Sequence, residues 1–425
     1  MVTLDRTWRK TKLGEYFRMK HGYAFKGEFF ADSGPYVLLT PGNFMADGGI
    51  KLKGEKEKYY TGDFPSEFLL KRRDFLIVLT DLTQNAPILG SPAFVEEDDR
   101  FLHNQRLGKI VNLDEINLDR LFLYYLFNSA KVRDQIKATA TGATVKHTAP
   151  ERIYTVEVEL PSLPTQCKIA AILSAYDDLI ENNTRHIAIL EEMAQSLYRE
   201  WFVHFRFPGY EKKRLVESEL GLIPEGWEVV KASYAVEIDP QTKVPKEGEK
   251  PFVSMGSLSI DSMLIENVEL RTGNSGSKFR NGDTLFARIT PCLENGKTGF
   301  VQFLPSASAV AFGSTEFIVL RSRRLCPEYV YLMARSNEFR DNAIKSMTGA
   351  TGRQRVQTAC FDKFLIAQPD SKILATFEET VSPLFCNIYI LSQKNANLRQ
   401  TRDLLLPKLV SGEVDVEGLS IAVGK

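Results

Sequence analysis

The sequence lacks several features by which whole classes of protein are recognised. No apolar run approaches the roughly 18 residues of a membrane-spanning helix, and the N-terminus has no signal-peptide pattern. The five cysteines are scattered, without the spacing of metal ligands or disulfides, as is usual in a reducing cytoplasm. We therefore expect a cytoplasmic protein.

Signatures of catalysis and of bound cofactors are also scarce. No glycine-rich dinucleotide loop follows a predicted strand, and no two of the five histidines have metal-ligand spacing. Residues 291–298 approach a P-loop, but Pro291 stands where the first glycine would supply a backbone N–H group. We predict no catalytic residue, metal or cofactor in this chain.

A net charge is absent as well. The 54 Lys and Arg residues balance 54 Asp and Glu residues, so bulk electrostatics alone does not indicate a nucleic-acid partner. A hydrophobic content of 43% is ordinary for a globular protein, and 425 residues are enough for two domains or more.

The strongest pattern present is a long helix within residues 161–208. Its apolar residues recur three and four apart, as in a coiled coil, and the pattern shifts phase near Asn183. About 42 residues at roughly 1.5 Å each give a rod of about 60 Å. The predicted seam consists of Ile169, Ile172, Tyr176, Leu179, Ile187, Leu190, Ala194, Leu197 and Trp201.

A second long helix is predicted over residues 371–410. Its seam runs from Phe377 to Leu409 in alternating steps of four and three, and includes the polar residues Asn395 and Arg402. We expect Pro383 to kink or divide this helix. The two helices are predicted to pack antiparallel on each other as a spacer. The alternative is that each packs on a separate domain.

The order of elements indicates an internal duplication. Residues 1–160 and 209–366 each combine short strand-like runs with one helix, predicted near residues 118–137 and 327–346, and each is followed by a long helix. The tetrapeptide Thr-Gly-Ala-Thr occurs at 141–144 and again 207 positions later at 348–351. Leu190 and Leu197 match Leu391 and Leu398 at an offset of 201. We predict domain boundaries at 1–160, 161–208, 209–366 and 367–425.

Several segments resemble one family. They are residues 22–26 (GYAFK), 179–203, 207–209, 221–227 (GLIPEGW) and 404–413 (LLLPKLVSGE). With these motifs the chain resembles, over essentially its whole length, the specificity subunit of type I restriction-modification systems. Residues 368–370 (QPD) depart from the family pattern, which more often has an apolar residue, proline, Glu and Gln there.

The resemblance implies an α+β fold with two α/β target-recognition domains related by a pseudo-two-fold axis and separated by two long antiparallel coiled-coil helices. It also implies a bacterial or archaeal, non-catalytic subunit that reads a bipartite, asymmetric target in double-stranded DNA. Its partners would be two modification (methyltransferase) subunits and restriction or translocase subunits, which would carry S-adenosylmethionine, ATP and Mg²⁺. The alternatives are a self-contained DNA methyltransferase or nuclease, and a coiled-coil scaffold without a DNA role.

Candidate DNA-binding residues are cations near glycine-bearing turns, and amide or guanidinium groups that can pair with base edges. We expect Lys146, Arg353 and Arg355 to contact phosphates. The alternatives without a DNA role are that each Thr-Gly-Ala-Thr turn only joins a helix to the following long helix, and that residues 22–26 form a hairpin with a packed aromatic pair. The full candidate set is Lys20, His21, Tyr23, Lys26, Gln84, Asn85, Lys146, His147, Arg288, Asn295, Lys297, Arg353, Gln354 and Arg355.

Candidate subunit-interface residues lie on the long helices. Large apolar residues there occupy more than one helix face, whereas a seam shared by two helices needs only one face. We predict an interface at Leu190, Leu197, Trp201, Phe202, Phe205, Leu398, Leu405, Leu406 and Leu409.

Overall fold

The computed structural model describes residues 8–350 and 352–421, which form two compact units. Unit 1 takes the chain up to Leu179 and again from Leu398 onward, and unit 2 is Ile180–Asn397. Each unit therefore contains part of both long helices. The fourth residue of the second Thr-Gly-Ala-Thr turn, Thr351, lies outside the described residues. The predicted domain boundaries stay a prediction.

Each unit contains twelve short strands among the described residues. In unit 1 they are β1 (Arg9–Lys12), β2 (Arg18–His21), β3 (Phe30–Ala31), β4 (Tyr36–Leu39), β5 (Tyr59–Tyr60), β6 (Phe75–Val78), β7 (Thr80–Asp81), β8 (Pro92–Phe94), β9 (Phe101–His103), β10 (Leu107–Val111), β11 (Lys146–His147) and β12 (Glu157–Leu160). In unit 2 they are β13 (Leu215–Ser218), β14 (Gly221–Pro224), β15 (Glu228–Lys231), β16 (Val236–Ile238), β17 (Glu249–Val253), β18 (Glu269–Thr272), β19 (Ser277–Arg280), β20 (Thr284–Ala287), β21 (Thr298–Phe300), β22 (Val310–Gly313), β23 (Phe317–Ser322) and β24 (Leu365–Gln368).

The α-helices are distributed in the same repeating order. They are α1 (Arg120–Asn128), α2 (Ala130–Ala138), α3 (Pro150–Tyr154), α4 (Leu163–Tyr198), α5 (Ala232–Ala235), α6 (Pro327–Arg335), α7 (Asn337–Lys345) and α8 (Ser371–Val410). A π-helical turn, Arg199–Val203, follows α4.

The sheets confirm the predicted duplication. The order β2-β10-β6-β8 in unit 1 has its counterpart in β16-β23-β20-β21 of unit 2. Each unit has a second sheet containing a parallel pair, β4 with β9 and β17 with β22. Each also pairs an early strand with the strand that precedes a long helix, β1 with β12 and β15 with β24. The two units therefore share one scaffold.

The single helices predicted near residues 118–137 and 327–346 are wrong, because each is a pair of helices. Ser129 separates α1 from α2, and Ser336 separates α6 from α7, both in extended backbone conformation. Each serine side chain accepts a hydrogen bond from the backbone N–H three residues later and so caps the second helix. The two capping serines are 207 positions apart, as are the Thr-Gly-Ala-Thr turns.

The long helices follow their predicted ranges, with corrections in detail. In α4 the buried stripe runs through Ile169, Leu173 and Ile180, whereas the predicted seam residue Leu179 is 50% exposed. The helix α8 is continuous through Pro383, so the expected division is wrong. Phe377 and Ile388, one on each side of the proline, are fully buried and hold the helix to its neighbours.

Within each unit the two long helices pack antiparallel. In unit 2, Asn183 donates to Asn395 (2.9 Å) and Trp201 packs on Phe377, with ring centroids 5.5 Å apart. In unit 1, Asp177 pairs with Arg402 at 2.6 Å, and Lys168 donates to the Glu417 carbonyl. The polar residues predicted in the second seam thus both find partners across the helix pair.

The alignment of the two repeats corrects the offset of 201 between the long helices. The helices start at Leu163 and Ser371, 208 positions apart, so Leu190 in the first helix is equivalent to Leu398 in the second. Buried Ile169 and Leu173 then match buried Phe377 and Val381. The two offsets differ by one heptad, so the sequence pattern alone could not separate them.

The proposed interface residues are largely used within their own units. Trp201 and Phe202 are each 6% exposed in the unit 2 core, and Leu409 is 2% exposed in the unit 1 core. Those three assignments to a partner surface are corrected, because other residues of the same unit cover these side chains. The remaining six residues are partly buried: Leu190, Leu197, Phe205, Leu398, Leu405 and Leu406.

Candidate nucleic-acid interface

Three segments of unit 1 meet around Leu79, directly after strand β6. The Leu79 N–H donates to the carbonyl of Arg106 (2.9 Å), in the turn between β9 and β10. The Leu79 carbonyl accepts from the N–H of Thr148 (2.9 Å), just past the first Thr-Gly-Ala-Thr turn. We call residues 79–85, 104–106 and 146–148 the unit 1 junction.

The unit 1 junction gathers four of the predicted DNA-binding residues. Strand β11 pairs with β7, so that Lys146 lies opposite Asp81 and His147 opposite Thr80. The buried Asp81 carboxylate also accepts hydrogen bonds from Thr83 and from the Ile88 N–H, which fixes the loop between them. Gln84 and Asn85 lie exposed on that loop.

The remaining unit 1 candidates follow strand β2. The Tyr23 N–H donates to His103 and its carbonyl accepts from Gln105, so this segment borders the junction. The Tyr23 ring packs on Phe25 and Phe68, and Lys20 pairs with Glu67 at 2.7 Å. These contacts give Tyr23 and Lys20 structural roles. His21 and Lys26 are exposed.

Unit 2 repeats the same hydrogen bonds with different side chains. The Arg288 N–H donates to the carbonyl of Glu316 (3.0 Å), and the Arg288 carbonyl accepts from Val356 (2.9 Å). The Thr290 N–H donates to the carbonyl of Gln354, which places Gln354 at the position of Lys146. We call residues 288–290, 314–316 and 353–356 the unit 2 junction.

An ion pair dominates the unit 2 junction. Nε and Nη2 of Arg355 both donate to the Glu316 carboxylate, at distances from 2.6 to 3.1 Å. Hydrogen bonding from Arg355 lowers the pKa of Glu316, so this carboxyl stays ionised. In contrast, Arg353 is exposed and makes no ion pair within residues 8–350 and 352–421.

The turns that carry these residues require glycine. Gly142 and Gly349 have φ values of 99° and 127°, in the region that residues with a Cβ rarely adopt. A Cβ at Gly142 would lie 1.9 Å from the Val145 carbonyl oxygen. In each unit the turn is closed by a reciprocal pair of backbone hydrogen bonds, Thr141 with His147 and Thr348 with Arg355.

Two candidates, Asn295 and Lys297, lie within residues 291–298, the segment that approaches a P-loop, and their surroundings differ. Asn295 is exposed and remains available to a partner. The Lys297 ammonium donates to the Met255 carbonyl (2.8 Å) and is half-buried, and its contact with DNA stays a prediction. The contact with Met255 holds the loop that follows β17 in place.

The sequence reasoning missed Gln105 and Arg106 in unit 1, and Glu316 in unit 2. Gln105 and Arg106 are exposed within the unit 1 junction, and the Arg106 side chain has no ion-pair partner among the described residues. Only the strand pairing places these turn residues beside the Thr-Gly-Ala-Thr segments. No local pattern in the sequence would have found them.

Each junction therefore offers hydrogen-bond donors and cations on a fixed backbone. Lysine and arginine suit phosphate contacts, whereas glutamine, asparagine and arginine can also pair with base edges. Among the residues described, His, Cys, Asp and Glu side chains form no group of three that could hold a metal ion. Likewise, none of the described helices has the length and apolarity needed to cross a bilayer.

Comparisons with known proteins agree on one family. Residues 5–192 match the model of the type I restriction modification DNA specificity domain. The chain is 29% identical over 350 residues to the type I restriction enzyme MjaIX specificity subunit of Methanocaldococcus jannaschii, covering 80% of this chain and 78% of that protein. It is 32% identical over 168 residues to the EcoEI specificity subunit of Escherichia coli, covering 37% of this chain and 28% of that one.

A solved structure shares the fold. The S subunit of a type I restriction-modification system from M. genitalium superimposes with a TM-score of 0.56 at 15% identity. The superposition covers 96% of this chain and 97% of that chain.

Proposed function

We infer that this chain, which belongs to the family of type I restriction-modification specificity subunits, selects the DNA sequence on which a modification complex acts. One observation carries the inference. The two units hold the same backbone junction, and they place different side chains on it: Leu79, Arg106, Lys146 and His147 in one, and Arg288, Glu316, Gln354 and Arg355 in the other. A scaffold kept twice with different polar groups suits two different half-sites.

The proposal includes a division of labour. This chain reads an asymmetric, bipartite target in duplex DNA and performs no chemistry itself. Two modification subunits bring S-adenosylmethionine and methylate adenine, and restriction subunits bring ATP and Mg²⁺. The complex works in the cytoplasm, where the DNA is.

The test is reconstitution of the full-length chain with its modification subunits. We expect the complex to methylate a bipartite sequence, and the chain alone to transfer no methyl groups from labelled S-adenosylmethionine. Methyl transfer by the highly purified chain alone would contradict the non-catalytic role. A complex that methylates DNA with no sequence preference would contradict the specificity role.

A further inference from the structure

A polar cleft of about 510 Å³ opens beside Arg288 in unit 2. Its walls come from residues 239–243 after β16, from the start of β19, and from Thr315 in the turn between β22 and β23. Arg288 and Thr315 belong both to this cleft and to the unit 2 junction. The cleft is therefore continuous with the surface proposed to meet DNA.

Arg288 supplies the half-buried guanidinium group of this cleft. Its Nη2 donates to the Val356 carbonyl (3.2 Å), and its buried Nε has no hydrogen-bond partner. Among the described residues no carboxylate oxygen lies within the 4.0 Å of an ion pair with Arg288. By contrast, Arg321 nearby is held by both oxygens of Asp283, at 2.7 and 2.6 Å.

Asp239 places a carboxylate in the same cleft. Its N–H donates to the Val319 carbonyl (2.8 Å), and its Oδ1 accepts from the Val319 N–H (2.9 Å). Its backbone has a φ of 48°, which aspartate and asparagine tolerate better than most residues. The second oxygen, Oδ2, has no partner among the described residues and remains free to accept a hydrogen bond.

The charged side chains that line the cleft indicate which kind of ligand it binds. Three cations, Arg288, Lys243 and Lys278, and one carboxylate, Asp239, line the cleft. The cations alone would suit phosphate, but a phosphodiester has no hydrogen-bond donor for the free oxygen of Asp239. A fixed donor fork and a fixed acceptor in one cleft suit a neutral surface that offers acceptors and a donor together. The major-groove edge of a G·C base pair has this pattern, with O6 and N7 of guanine as acceptors and N4 of cytosine as donor.

We propose that Arg288 and Asp239 read one G·C base pair in the half-site taken by unit 2. Arg288 donates to guanine O6 and N7, and Asp239 accepts from cytosine N4. Lys243, exposed at the mouth of the same cleft, neutralises a nearby phosphate. The inference rests on the proposed function and makes Asp239, which no sequence pattern marked, a specificity-determining residue.

The test uses the full-length chain assembled with its modification subunits. The complex methylates a library of DNA duplexes with randomised sequence, and the methylated positions are read by sequencing. Asp239→Asn keeps an oxygen for the Val319 N–H and tolerates the positive φ, but it can replace the acceptor with an amide donor. Arg288→Lys removes the planar fork, and Lys243→Ala serves as the matched control. Thermal unfolding of each variant checks its folding.

The wild-type complex should require a G·C pair at one position of one half-site. Asp239→Asn and Arg288→Lys should each reduce discrimination at that position by roughly 5- to 150-fold and leave the other half-site unchanged. Lys243→Ala should weaken methylation of all sequences alike. A half-site that is unchanged in a folded Asp239→Asn complex, or that contains no G·C pair, would overturn this inference while leaving the proposed function intact. A wild-type complex without any sequence preference would overturn both.

Discussion

Because Glu316 holds Arg355 in an ion pair, we predict that substitution of Glu316 increases the affinity for DNA. Two nitrogens of Arg355 are occupied by the Glu316 carboxylate, so the pair contributes no net charge to the unit 2 junction. The side chains are 48% and 22% exposed, and such a pair is worth at most about 1 kcal/mol. Glu316→Gln should therefore release a full positive charge at little cost in stability.

The expected size of the gain follows from counterion release. One added phosphate contact steepens the slope of log K against log salt concentration by about 0.9, which corresponds to roughly fivefold tighter binding at 0.15 M salt. The assay is fluorescence anisotropy of the assembled complex on a labelled duplex over a series of salt concentrations. Arg355→Ala in the Glu316→Gln background should abolish the gain.

The matched control is Glu225→Gln, which removes an equal charge at an exposed position outside both junctions. Its salt slope should equal that of the wild type. If Glu316→Gln and Glu225→Gln give the same slope, then Arg355 does not reach a phosphate when released, and its assignment as a DNA contact is wrong.

Three further predictions concern folding and assembly. Arg402→Ala removes the ion pair of the partly buried Asp177, which keeps, among the described residues, only its hydrogen bond from Tyr125, and should cost about 2 kcal/mol, seen as a melting temperature lower by roughly 4–8 °C in calorimetry. An unchanged melting temperature would count against a stabilising ion pair. Burial lowers the pKa of His103 from 6.5 to about 4, so its contribution to stability is present above pH 6.5 and is lost as the pH falls toward 4. Between pH 6.5 and pH 4 the free energy of unfolding of His103→Gln should therefore fall by roughly 3 kcal/mol less than that of the wild type, as measured by urea titration at each pH. An equal fall in the two proteins would refute this prediction. Trp201→Ala should lower the stability of unit 2 by about 3–5 kcal/mol, whereas Leu404→Asp, at a side chain that is 61% exposed, should leave melting unchanged and reduce co-purification with a modification subunit.

Local patterns in the sequence predicted the long helices well. The helix α8 covers Ser371–Val410, as its heptad spacing predicted, because that spacing depends only on neighbours along one helix. The break at Ser129 was missed. A serine can continue a helix or cap a new one, and the fold decides which.

The turns of the candidate site were predicted because the sequence repeats itself. The Thr-Gly-Ala-Thr turns led to Lys146 and Arg355, because an identical tetrapeptide marks a conformation needed twice. Arg106, Asp239 and Glu316 reach the same surfaces through pairing between distant strands, which no short window reveals. Sequence reasoning therefore found the scaffold of each junction but missed the residues that neighbouring strands bring to it.

The two junctions have the same backbone and different side chains, which explains how one duplicated fold can distinguish two DNA sequences. The matching backbone hydrogen bonds of the two units make Leu79 equivalent to Arg288, Arg106 equivalent to Glu316, and His147 equivalent to Arg355. Backbone groups are the same for every side chain, so these bonds keep the geometry while the exposed groups differ. Arg106, a free cation in unit 1, is replaced by the carboxylate of Glu316 in unit 2. Because Arg355 holds the Glu316 carboxylate, this exchange replaces the free positive charge of Arg106 with a neutral ion pair, which weakens the attraction of unit 2 for phosphate relative to unit 1. An asymmetric target is then the direct consequence of a symmetric scaffold with different side chains at equivalent positions.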